Sequence, residues 1–118
     1  MRENNLIAEK SMAFAVRIVK LYGYLVNERK ATIMSKQLMR SGTSIGANVR
    51  EAIYTQSRKD FVSKLSISLK EASETGYWLE LLSKTGYLSE QQYNSMSEDC
   101  VELMKMLTVI IKSSKTEV

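Results

Sequence analysis

Apolar side chains recur along this chain in the short steps that a helix turns into a stripe. Between Asn5 and Val26 the line is Ile7, Phe14, Ile18, Leu21 and Leu25, a spacing that gathers residues onto one face of an α-helix. A second line, Met34, Leu38, Ile45, Val49 and Ala52, predicts a helix over Thr32 to Tyr54. A third runs through Phe61, Leu65, Leu69, Ala72 and Leu79, and a fourth through Tyr93, Met96, Cys100, Leu103, Leu107 and Ile110. The punctuation agrees with this division. Ser57 with Asp60, and Ser89 with Gln92, have the spacing of capping boxes, and Gly86 suits the left-handed position that closes a helix. No strand pattern, internal repeat or low-complexity tract interrupts the order. Four amphipathic helices joined by short turns predict an all-α fold, an up-down antiparallel four-helix bundle spanning residues 1–118 as one domain.

Two of these helices carry more apolar surface than a bundle needs. On the first, Ala8, Met12, Val16, Val19 and Val26 form a second stripe that widens the apolar arc to roughly 200°, where ~100° suffices for a surface helix. On the third, Ile67, Trp78 and Leu81 fall opposite Leu65, Ala72 and Leu79. A subunit interface built from Met12, Val16, Val19, Ile67, Trp78 and Leu81 accounts for both stripes; cover by a crossing loop or by the termini is the alternative. The second helix raises a different question, because "QLMRSGTSIGANVREA" puts glycine and hydroxyl residues, poor helix formers, in its middle. Gly42 and Gly46 share one flank, where small residues let another backbone come close. Ser41, Ser44 and Asn48 occupy the other flank, and Asn48 beside the core line needs hydrogen-bond partners. Lys36, Arg40 and Arg50 project from the remaining face, away from Ile45 and with Tyr54 near by.

Charge adds a direction to this picture. Residues 1–60 hold eleven Lys/Arg against five Asp/Glu, and residues 61–118 hold six against eight, so the net +4 is an excess of the first half. Such asymmetry points to an anionic partner, although a merely solvated basic surface gives the same balance. Basic side chains interspersed with tyrosine on the first two helices suit phosphate backbones and stacked bases. The predicted contacts are Arg17, Lys20, Lys36, Arg40 and Arg50. Chemistry of other kinds finds little material. The chain has no histidine, the commonest general acid/base and metal ligand, and no proline. Its single cysteine, Cys100, lies on a core line and reads as a small apolar group. Glu71, Glu74 and Glu80 lack the Glu-x-x-His partners of a di-metal bundle, and "SGTSIG" lacks the ending of a phosphate-binding loop. No catalytic constellation, metal site or cofactor is expected. No segment approaches the ~18 apolar residues of a membrane span, and the N-terminus lacks signal-peptide order, so a cytoplasmic setting is expected.

The run Gln37 to Ala52 resembles the signature of the four-helix bundle family named for 23S ribosomal RNA intervening sequences, whose members read approximately "QLxRSxxSIxANxxEA" or end in "EG". The following "SRKDFVSKLSISLKEASETGYWLELLSKTGYL" is similar to that family's third helix and Gly-Tyr turn, and the likeness spans Leu25 to Leu88. Gly76 departs from it, standing where a larger residue is usual. The resemblance implies a small bacterial protein that assembles as a five-subunit ring, which suits the surplus apolar stripes. It also implies kinship in fold with the accessory protein of diversity-generating retroelements, which binds nucleic acid and a reverse transcriptase through a basic surface. Ser41, Gly42, Ser44, Ile45, Gly46 and Asn48 fall within the signature and are expected to be structural. The reading is a non-enzymatic, homo-oligomeric bundle, most simply a pentamer, that binds RNA or DNA through the basic side of its first two helices. An oligomeric scaffold for protein partners alone is the alternative.

Overall fold

The structure, a computed structural model, describes residues 2–116, with side chains from residue 4 to residue 115. Four helices account for nearly all of it: α1 Arg2–Asn27, α2 Thr32–Ile53, α3 Arg58–Lys84 and α4 Glu90–Thr116. The described residues contain no strand. α1 begins three residues before the expected Asn5, and α2 stops at Ile53, leaving Tyr54 as its C-cap. Each helix packs on its neighbours in sequence, and α4 returns to α1, so the bundle closes while the diagonal pairs stay apart. The neighbours are antiparallel, because cross-helix partners fall as residue numbers rise: Gly42 with Ile18 and Gly46 with Ser11, then Ile45 with Ser68 and Ser41 with Thr75. The result is an elongated body of 48 × 20 × 19 Å.

The expected apolar lines form the core. Ile7, Phe14, Ile18, Leu25, Leu38, Ile45, Val49, Leu65, Leu79, Leu103 and Leu107 are almost completely excluded from water, and each such side chain contributes about 1.5–3 kcal/mol to folding. The turns behave as their residues dictate. The Ser57 hydroxyl accepts from the Asp60 backbone N–H at 3.1 Å, starting α3. Ser89 and Gln92 exchange reciprocal bonds of 2.8 and 3.1 Å at the head of α4. Gly86, at φ +84°, lets Tyr87 N–H reach Leu82 O at 2.9 Å and its own N–H reach Ser83 O at 3.1 Å, satisfying carbonyls that the end of α3 would leave open. The turn after α1 uses a residue with no such freedom. Lys30 sits at φ +58°, and the following Ala31 N–H bonds Leu25 O at 3.0 Å.

Both flanks of α2 now have an address. The glycine flank faces α1, where a Cβ on Gly42 would stand 2.7 Å from Ile18 Cγ1 and one on Gly46 would stand 3.3 Å from Ser11 O. The serine flank faces α3. There Ser68 donates to Ile45 O at 2.8 Å, and Thr75 Oγ1 lies 3.0 Å from Ser41 Oγ. Buried hydroxyls require such partners. The helix therefore carries poor helix formers because one side must be thin and the other must be polar and small.

Candidate functional site

Every basic residue expected to meet nucleic acid reaches the surface, but they do not share one patch. Arg17 stands at the seam between α1 and α4, where Nη1 meets Asp99 Oδ2 at 2.5 Å and Nη2 donates to Ser95 Oγ at 2.8 Å. Lys20 lies in the same seam, lining a groove with Tyr24, Gln91 and Gln92. Lys10, also on α1, pairs with Glu102 at 3.1 Å. Arg40 stands at the opposite side of the pair of helices, against α3. Its guanidinium bridges Glu71, at 2.8 Å, and Glu74. These carboxylates hold the Arg40 pKa above its ordinary value, Glu74 first. Glu74 is in turn held below its ordinary value, first by the hydrogen bond from Trp78 Nε1 at 3.0 Å and then by Arg40. Arg40 is thus the centre of a four-residue clamp between α2 and α3.

Lys20, Lys36 and Arg50 remain. They are exposed and have no hydrogen-bond or ion-pair partner among the described residues. Lys36 and Arg50 project from the outer face of α2. The one carboxylate that α2 possesses, Glu51, is turned to α3, where it meets Lys64 Nζ at 2.9 Å. The one acid beside these cations on their own helix is thus already paired. Local sequence patterns carry no sign of this sorting, because the partners Glu71, Glu74, Asp99 and Glu102 come from α3 and α4. The acidic half of the chain leans across and neutralises part of the basic half.

The apolar stripes divide too. Met12, Val16 and Val19 are 46–49% exposed along the outside of α1. On α3, Ile67 is exposed, whereas Trp78 and Leu81 are half-buried, and Trp78 packs against the core. Tyr77, absent from the expected set, is exposed and meets Trp78 edge-on at 5.1 Å between ring centroids. Since α1 and α3 are diagonal, the two stripes face away from each other. Beside the α1 stripe runs an open groove between α1 and α2, about 640 Å³ in volume, lined by Arg50, Glu51 and Tyr54 together with the small residues Ala8, Ser11, Gly46 and Ala47.

The signature residues are occupied in packing. Ser41, Gly42 and Ile45 are buried, Ser44 bonds Arg40 O at 2.6 Å, and Asn48 Nδ2 donates to Ser44 O at 2.9 Å. Cys100 is buried, its thiol directed to Ala72 O at 3.2 Å, and burial pushes its pKa up to about 11, far from a reactive thiolate. Among the described residues no three acidic, cysteine or histidine side chains converge on a point where a metal ion would sit. No described helix is long and apolar enough to cross a membrane.

Comparison with known proteins agrees with this architecture. The model of a family described as 23S rRNA-intervening sequence protein matches residues 3–109. A crystal structure of a protein of unknown function from the S23 ribosomal protein family of Bacteroides thetaiotaomicron is 58% identical, with a TM-score of 0.92 over 93% of this chain and 98% of that one. No curated protein matches the chain.

Proposed function

Because the chain belongs to the 23S rRNA-intervening sequence protein family, we propose that it is a non-enzymatic, cytoplasmic homo-oligomer that binds nucleic acid through the basic outer side of α1 and α2. One observation carries the reading: Lys36 and Arg50 are exposed and unpartnered on α2, whose one carboxylate, Glu51, is paired with Lys64 of α3, and Lys20 is unpartnered at the seam of α1 and α4. Arg17 and Arg40 contribute less directly, since a phosphate must compete with Asp99 or with Glu71 and Glu74 for each guanidinium. Contacts of this kind recognise phosphate charge and read few bases.

The assembly is proposed on the apolar stripes. An isologous dimer buries the same patch on both subunits, so it covers either the α1 stripe or the α3 stripe and leaves the other wet. Head-to-tail contact between Met12, Val16 and Val19 of one subunit and Ile67, Trp78 and Leu81 of the next covers both, and a closed rotation makes a ring. Five members is the number that the family resemblance implies. A ring repeats the cationic face, so weak contacts act together.

Charge reversal tests the site. With Lys36→Glu and Arg50→Glu combined, affinity for a labelled RNA hairpin should fall at least tenfold while light scattering shows the same oligomer. Unchanged affinity with an intact oligomer would remove this face from the account and leave a protein-binding scaffold as the better reading.

A further inference from the structure

Tyr54 is the most exposed aromatic side chain among the described residues, 81% accessible at the C-cap of α2. An aromatic ring left in water forgoes the burial that ordinarily justifies its size. Arg50 lies four residues earlier, about 6 Å along the axis, and both line the groove between α1 and α2. Arg50 is also unusual among its kind. Arg17, Arg29, Arg40 and Arg58 each donate to an acceptor in the protein, whereas Arg50 is the one arginine, among the side chains described, that donates to none. A planar cation and a planar aromatic are thus set side by side, both free, at the mouth of a groove whose floor is small and largely apolar.

We infer that the Arg50–Tyr54 pair binds an unpaired base and its adjoining phosphate, so that the nucleic acid recognised is single-stranded or carries a single-stranded loop. Rigid duplex bases are stacked on one another and offer a side chain no free face, whereas an unstacked base lies flat on an aromatic ring. The guanidinium takes the neighbouring phosphate with paired N–H donors. Charge complementarity favours this occupant over a second copy of the chain. Arg50 and Glu51 both line the groove, but Glu51 is paired with Lys64 at 2.9 Å, which leaves Arg50 as the charge there without a partner. The inference rests on the nucleic-acid reading above and adds the class of strand.

The test compares a labelled 12-nucleotide single strand with a blunt duplex of the same sequence, by anisotropy on the full chain. Tyr54→Ala should weaken single-strand binding about tenfold, the scale of one lost stacking contact, and leave duplex binding within twofold. Tyr54→Phe, which keeps the ring, should restore it. Arg50→Glu should weaken both. Equal binding of the single strand by Tyr54→Ala and the unmodified protein would overturn the inference while the nucleic-acid reading stands. No binding of either probe by the unmodified protein would overturn both. A change of oligomeric state in Tyr54→Ala or Tyr54→Phe would assign the ring to a subunit contact and overturn the inference as well.

Discussion

Trp78 reports on the clamp that joins α2 to α3. Its indole N–H and the Arg40 guanidinium converge on Glu74, and both favour the ionised carboxylate. The folded pKa of Glu74 is therefore lower than its unfolded value, near 4.5. The stability it contributes is present above that value and is lost as pH falls through the lower, folded one. Because the chain has one tryptophan, its fluorescence should change with a midpoint below 4.5, before global unfolding, and Glu74→Gln should abolish the step. A midpoint at or above 4.5 would mean that the clamp does not hold in solution. Arg40 also shows what the sequence conceals. Its exposed, basic character is legible from helical phase, but Glu71 and Glu74 lie 31 and 34 residues away, and no local pattern announces that they will neutralise it.

At the scale of elements, the helices and their caps were legible because they depend on neighbours in sequence. Ser57, Ser89 and Gly86 each act within a few residues, so spacing suffices to place them. The turn at Lys30 was not legible, since lysine carries no preference for the left-handed backbone it adopts there. The glycines of α2 were half legible: the spacing of Gly42 and Gly46 announced close packing but not the partner, which is α1. Substitution separates packing from propensity. Gly42→Ala adds a Cβ 2.7 Å from the buried Ile18, and the overpacking should exceed the gain in helix propensity, destabilising the bundle by about 1–2 kcal/mol. Gly76→Ala meets nothing within 4 Å and should stabilise it by about 0.5–1 kcal/mol. Urea denaturation of the two variants decides this; shifts of the same sign would refute the proposed division of labour.

For the whole molecule, the four-helix architecture followed from periodicity alone, while the surface required the third dimension. Half-chain charge balances suggested a broad basic side on α1 and α2. The fold spends Lys10, Arg17 and Arg40 on holding helices together and leaves Lys20, Lys36 and Arg50 outside. Likewise helical phase found the stripes of Met12, Val16 and Val19 and of Ile67, but their placement on diagonal helices, on which the proposed head-to-tail contact depends, needed the fold. If an oligomer gathers these few free cations into a phosphate-binding surface, as proposed, its affinity for a labelled single strand must fall as salt is raised. Each neutralised phosphate contributes about −0.7 to the slope of log affinity against log salt for single strands, so an assembly engaging three or more phosphates should weaken steeply, with a slope of about −2 or beyond. Binding that is absent at low salt, or indifferent to salt, would contradict the account.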